Sequence, residues 1–241
     1  MHTFGLIGKH LSHSFSATYF NRKFNHEHIE AEYKLFELES IDELPALIAR
    51  EQPRGLNVTI PYKQQIIPYL HALSKEAQAV GAVNCVSLRD GHWIGHNTDI
   101  VGFEALFLPH VNEKVPALVF GTGGAAQAVQ YVLTQRGFPF TLVSRNEIQH
   151  GLTYADINED VLQAHPILIN TTPVGMYPEI EQALPIPYQW VSPRHTVFDL
   201  IYNPPQTRFL EYCASQGART YNGQIMLEAQ AEAAWNIFGL S

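Results

Sequence analysis

Charge is scarce in this 241-residue chain: Asp, Glu, Lys and Arg make up 16% of it, against about 25% in an ordinary soluble domain. Together with 46% hydrophobic residues, that scarcity excludes a disordered chain, which lacks the apolar surface needed to offset its conformational entropy. Basic residues are the scarcer sign, fifteen against twenty-three acidic, so the net charge is −8 and there is no electrostatic footprint for nucleic acid. Long apolar runs are also missing, which excludes a membrane-span reading, and Met1-His2-Thr3 lacks the basic start of a secretory signal, so a cytoplasmic location is expected. Cysteine occurs twice, at Cys85 and Cys213, each within an apolar segment, as expected of buried small hydrophobes rather than a disulfide framework. The twelve histidines are scattered, without paired cysteines or a helical H-x-x-x-H, and no metal site is expected.

What the chain does contain is an alternation of short apolar runs and helical patterns, the mark of βαβ construction. Its length favours two modest domains or one large α/β unit. Strands are expected at Phe4–Gly8, Glu32–Leu38 and Gly55–Val58, with helices up to about residues 26 and 51; Ser40-x-x-Glu43 fits a capping box at the start of the second helix. A further helix is predicted from Pro61 to about Leu70, since Pro suits a first helical turn. Asp90-Gly91 between Val83–Arg89 and His92–His96 is the dipeptide of a tight hairpin, and Asn97-Thr98 offers a cap before an amphipathic stretch over Asp99–Leu108. A second unit begins near Ala117. Its buried strands are expected at Ala117–Phe120, Thr141–Val143, Ile167–Ile169 and Thr196–Leu200, and an Ala-rich helix over Met226–Phe238 closes the chain.

Gly121-Thr122-Gly123-Gly124-Ala125-Ala126 matches the G-x-G-x-x-A dinucleotide fingerprint, with a strand before it and a helix after it. The first glycine permits the turn, the second lets backbone approach a pyrophosphate, and the helix start supplies free N–H groups. About twenty residues on, where NAD binders carry an acid for the ribose hydroxyls, the chain has Ser144-Arg145-Asn146. A guanidinium pairs with a 2′-phosphate and a carboxylate repels it, so NADP(H) is favoured over NAD(H); the competing reading of Arg145 is a solvated surface charge.

Three polar clusters sit at predicted strand ends, where open α/β sheets bind ligands: Ser14 with Ser16, the stretch Asn57-Val58-Thr59-Ile60-Pro61-Tyr62-Lys63, and Asn84 with Asn97-Thr98-Asp99. A lysine in the first turn of a helix opposes the dipole, so Lys63 needs a reason such as a facing carboxylate, for which Asp99 is the candidate. The plain alternatives are a solvated Lys63 and an Asp99 that merely favours the dipole.

In order and spacing these motifs, with Gly81-Ala82-Val83-Asn84, Asn170-Thr171-Thr172-Pro173, Asp199-Leu200-Ile201-Tyr202 and the stretch from Gly223 to Gln230, resemble the shikimate dehydrogenase family nearly from end to end. The resemblance implies an α/β substrate domain over 1–101 plus 224–241 and a Rossmann-type doubly wound NADP-binding domain over 102–223. It also implies NADPH-linked reversible reduction of 3-dehydroshikimate to shikimate, on a small-molecule substrate, by a monomer or homodimer. By position it gives the substrate carboxylate to Ser14 and Ser16, with Tyr202 closing that end. Ring hydroxyls and the reacting oxygen go to Thr59, Lys63, Asn84, Asp99 and Gln230, with Lys63 and Asp99 catalytic. Cofactor contacts go to Gly121, Thr122, Gly123, Gly124, Ala125, Ser144, Arg145, Asn146, Leu200, Gly223 and Met226. Gln127 replaces a frequent arginine and Ser144-Arg145-Asn146 replaces Asn-Arg-Thr, which points to weaker adenosine-phosphate affinity, and a helix is expected to be reduced within 146–165. Two alternatives stand beside this reading: a quinate or NAD-preferring relative, and a ligand-binding regulator that lost turnover.

Overall fold

The structure, a computed structural model, describes residues 1–11 and 15–240. The chain divides into two compact units, Met1–Thr98 with Ala231–Ser241, and Asp99–Gln230.

The first unit is built on a six-stranded mixed sheet. Its strands are β1 (His2–Gly8), β2 (Ala31–Glu37), β3 (Gly55–Val58), β4 (Ala72–Leu73), β5 (Cys85–Arg89) and β6 (His92–His96), in spatial order β2-β1-β3-β5-β6-β4. Strand β1 lies between parallel β2 and β3, and a strand covered on both faces reads as a continuous apolar run; residues 4–8 are accordingly all buried. Helix α1 (Phe15–His26) places Phe20 and Phe24 one turn apart in the core and carries Lys23 and His26 at its negative dipole end. The Ser40/Glu43 capping box is present, but it opens a 3₁₀ turn, Ile41–Glu43, that leads into α2 (Leu44–Glu51). Ser74 caps α3 (Lys75–Val80), and Gly81 closes it in the left-handed conformation. Asp90 and Gly91 both have positive φ (49° and 77°), as a type I′ hairpin requires.

The helix predicted over residues 61–70 does not form. Turns run through this stretch and end in a 3₁₀ turn at Ile67–Tyr69. In an α-helix the Lys63 carbonyl would accept from Ile67 N–H. Instead it accepts from Val83 N–H at 2.7 Å, Ile67 bonds back to Gln64, and Pro68 has no N–H to offer. The dipole argument for Lys63 therefore lapses, since no helix starts there.

The second unit begins with α4 (Asp99–Phe107) and is built on a parallel six-stranded sheet. The strands are β7 (Ala117–Phe120), β8 (Phe140–Ser144), β9 (Leu152–Thr153), β10 (Ile167–Asn170), β11 (Thr196–Asp199) and β12 (Arg219–Tyr221), in spatial order β12-β11-β10-β7-β8-β9. This is the doubly wound order, with its reversal between β7 and β10. Helix α5 (Gly124–Arg136) follows β7 and ends at Gly137 (φ +72°). Between β8 and β10 there is no long crossover helix, only β9, a 3₁₀ turn and the six-residue α6 (Glu159–Ala164), in line with the expected reduction. Helix α7 (Arg208–Ser215) precedes β12, and α8 (Gln224–Phe238) follows it and runs on into the first unit. The units part at 98/99 and 230/231, against the expected 101/102 and 223/224, because α4 and the start of α8 pack tightly: a Cβ on Gly102 would lie 2.6 Å from the Met226 carbonyl oxygen and 3.2 Å from Gln230 Cβ.

One face of the first sheet carries an aromatic cluster. Phe20 stacks on Tyr33 (centroids 4.6 Å apart, planes 5° from parallel) and touches Phe24, Trp235 and Phe238. Phe20→Ala should cost about 3–5 kcal/mol in urea unfolding, the range for emptying an aromatic core site. A loss below about 1 kcal/mol would show that this cluster is not a cooperative core.

Candidate active site

In the first unit, β1, β3 and β6 point the same way and β5 the opposite way, so β1, β3 and β6 end where β5 begins. That edge gathers Thr59 just after β3, Asn84 just before β5 and Asn97-Thr98 just after β6. Lys63 joins them through its carbonyl bond to Val83 N–H. Thr59 N–H continues the ladder to the Ile7 carbonyl at 2.9 Å, which fixes the turn that carries Lys63. Asn84 is buried and holds the next loop: its Oδ1 accepts from Thr98 N–H at 2.6 Å, and its Nδ2 donates to Thr98 Oγ1 at 2.9 Å. Lys63 and Thr59 are half-buried, as is Ser16 in the first turn of α1. Ser14 lies outside the described residues.

Asp99 follows Thr98 directly, opens α4 and is 5% exposed. It belongs to the second unit, where Gly102, one turn along the same face of α4, sits against Met226 and Gln230 of α8. Gln230 donates its amide to the Leu227 carbonyl at 3.1 Å. Gly223 precedes that helix because nothing larger fits: a Cβ there would lie 2.1 Å from the Leu200 carbonyl oxygen. The second unit thus brings Leu200 and Tyr202 to the loop after β11, Gly223 to the loop after β12 and Met226 to the first turn of α8.

The glycine loop lies at the switch point, between the ends of β7 and β10. Gly121 has φ +112°, and a Cβ on it would meet Thr171 Oγ1 at 2.6 Å; it serves both the turn and the close approach. A Cβ on Gly123 would meet nothing within 4 Å, so open space lies over the loop where a pyrophosphate docks. Gly123 is also the N-cap of α5 and has no side chain with which to cap the first-turn N–H groups. The loop therefore fits a dinucleotide. Ser144 ends β8, next to β7, with Arg145 and Asn146 directly after it, and Arg145 is exposed, with its charge felt by the Tyr154 phenol. Gln127 is half-buried.

Several structural supports were not singled out as site residues in the sequence. Thr171 donates its hydroxyl to the Phe120 carbonyl at 2.7 Å and walls the glycine loop. Asn170 Oδ1 accepts from Thr172 N–H and its hydroxyl, while its Nδ2 donates to Asp199 Oδ1 at 3.0 Å. Asp199, fully buried, also accepts from Ile201 N–H and from the Thr207 hydroxyl at 2.6 Å. Burial pushes its carboxyl up to about 7 against the pull of those three donors. The signal was an acid at the end of an apolar strand, and its partners come from three separate segments. Among the described residues no group of three or more His, Cys, Asp or Glu side chains is arranged to hold a metal, and no helix is long and apolar enough to cross a membrane.

Comparison with known proteins adds the following. The sequence profile of the shikimate dehydrogenase substrate binding domain matches residues 6–86. A shikimate dehydrogenase (NADP(+)) of Clostridium beijerinckii is 39% identical over 247 residues, covering 96% of this chain and 89% of that protein. The solved structure of shikimate 5-dehydrogenase from Thermus thermophilus, in complex with NADP(H) and shikimate, is 28% identical and superposes with a TM-score of 0.87 over 100% of this chain and 94% of that one. Quinate dehydrogenase from Corynebacterium glutamicum, in complex with NAD, is 26% identical with a TM-score of 0.86, over 100% of this chain and 94% of that one.

Asp199 makes stability depend on pH. Its folded pKa, about 7, lies above the ordinary carboxyl value, so its contribution is complete below about pH 4 and is lost as pH rises through 7. Asp199→Asn keeps the acceptor for Ile201 N–H without the titration. The wild type should lose stability relative to this variant between pH 5 and pH 8 in paired denaturant melts, and parallel curves would show that the buried carboxyl does not titrate there.

Proposed function

The chain belongs to the shikimate dehydrogenase family, and from that premise we propose that it catalyses the NADP-dependent, reversible reduction of 3-dehydroshikimate to shikimate, with Lys63 and Asp99 handling the proton. The observation that carries this reading is the dinucleotide loop at the switch point of the second sheet. The polar edge of the first sheet, with Thr59, Lys63 and Asn84, supports it as the substrate side. A regulator without turnover would have no use for a proton donor, and the quinate reading rests on a more distant relative than the shikimate reading does.

Gly121, Thr122, Gly123, Gly124 and Ala125, with Ser144, Arg145, Asn146, Leu200, Gly223 and Met226, would hold NADPH, which would supply the hydride when bound. Reduction of a ketone leaves charge on its oxygen, and a cation within hydrogen-bond reach of that atom lowers the barrier. Lys63 Nζ is that cation and the proton source at the reacting oxygen. The Asp99 carboxylate accepts from the substrate hydroxyl next to the reacting oxygen. Asn84 and Gln230 hold ring hydroxyls through their amides, Thr59 through its hydroxyl. Ser14, Ser16 and Tyr202 offer three hydroxyls to the substrate carboxylate, so anion recognition here needs no arginine.

Two measurements test this. Lys63→Ala should lower kcat for shikimate oxidation by about 10²- to 10⁴-fold with a smaller change in KM, the range for removing a general acid–base group. Near-normal turnover would end its role. Arg145→Ala should lose far more kcat/KM with NADPH than with NADH, because one charge-assisted contact to a 2′-phosphate is missing in NADH. Equal losses with the two cofactors would remove Arg145 from cofactor selection.

A further inference from the structure

Tyr33 is a residue that neither the site nor the core requires in full. Its ring belongs to the core, where it stacks on Phe20, and a phenylalanine would serve there equally. Its hydroxyl is the unexplained part, because a buried phenol is unfavourable unless its hydrogen bonds are met. Tyr33 is 3% exposed and sits on β2, aligned with Phe4 of β1, and its side chain reaches across β1 to β3, about 10 Å away at two strand spacings. There the phenol donates to Asn57 Oδ1 at 2.8 Å. Asn57 is itself buried, and its Nδ2 donates to the Asn84 carbonyl at 3.3 Å, an oxygen that also accepts from Val58 N–H at 2.8 Å. Asn84 in turn holds Thr98, the residue before Asp99, by two bonds.

We propose that Tyr33 and Asn57 are positioning residues for substrate binding: through one buried chain of hydrogen bonds they set Asn84 and, through it, Thr98. Neither touches substrate. The chain works because it runs from β2 through β3 to the residue before β5, where the sheet's own ladder stops and loop side chains would otherwise choose among rotamers. A phenol is suited to the task because it is rigid, long enough to cross one strand, and both donates and accepts. The proposal rests on the substrate role given above to Asn84.

The test is calorimetric titration of shikimate, and separately of NADP⁺, into the wild type, Tyr33→Phe, Asn57→Ser and the double variant, each first shown to be folded by its thermal melt. Removing one link should weaken shikimate about 5- to 50-fold, the cost of one broken buried hydrogen bond passed on to the site, and leave NADP⁺ affinity within about twofold. The double variant should be no more than about threefold weaker than the weaker single one, since a chain cut twice is still one cut chain. Multiplying effects, or equal losses for both ligands, would reduce the two residues to independent core packing and overturn the inference. Unchanged shikimate affinity in both folded singles would also overturn it. A wild type that binds NADP⁺ but not shikimate would remove the proposed substrate, and this inference with it. If Tyr33→Phe does not fold, Asn57→Ser alone decides by the same two affinities.

Discussion

A parallel strand ends with backbone donors and acceptors that its ladder no longer serves, and in this protein the loops carrying functional side chains are fixed by meeting that demand. In the first unit, Thr59 N–H takes the Ile7 carbonyl, Val58 N–H takes that of Asn84, and Val83 N–H takes that of Lys63. In the second, Gly121 N–H takes the Val143 carbonyl, Thr171 N–H that of Phe120, Leu200 N–H that of Asn170, and Gly223 N–H that of Ile201. Most of these bonds extend a ladder just beyond its strand, and the Val83–Lys63 bond ties a turn to the approach of β5. Because a buried unpaired backbone group is costly, these extensions are effectively obligatory, and the loops inherit the rigidity of the sheets.

Side-chain amides and hydroxyls complete the same scheme. Asn57, Asn84, Asn97 and Thr98 are buried in the first unit, and Asn170, Asp199 and Thr207 in the second, each at a strand end or in the loop beyond it. They join segments that the ladder cannot reach: Asn84 ties the start of β5 to the loop after β6, and Asp199 ties β11 to β10 and to the first turn of α7. A chain with so few charges relies on neutral groups for this, and neutral groups have a smaller desolvation cost than ion pairs in the same place. Asp199 is the exception. Its three donors compensate much of its burial but not all of it, which leaves its carboxyl titrating near neutrality.

Local rules worked in the sequence wherever local energy decides the outcome. The Asp90-Gly91 hairpin, the Ser40/Glu43 box and the apolar strands depend on φ preferences, capping atoms and burial periodicity, all encoded within a few residues. The helix expected over residues 61–70 failed for the opposite reason: Val83, twenty residues on, supplies a better-placed donor to the Lys63 carbonyl than Ile67 does. The glycine loop was legible because its φ requirement and phosphate chemistry lie within six residues. The floor beneath it was not, because Thr171, Asn170, Asp199 and Thr207 meet only when β7, β10 and β11 lie side by side.

The amino-acid order alone therefore settled the α/β class, the two-unit plan, the dinucleotide loop and the residue types available for proton handling, since each follows from short-range pattern and side-chain chemistry. Which strands are neighbours, where the switch point falls, that Gly223 must pass against Leu200, and that Tyr33 reaches Asn57 across β1 were decided by the folded sheets. Those are contacts between residues far apart in the chain, selected jointly by strand pairing and packing, and no local stretch carries the information for them.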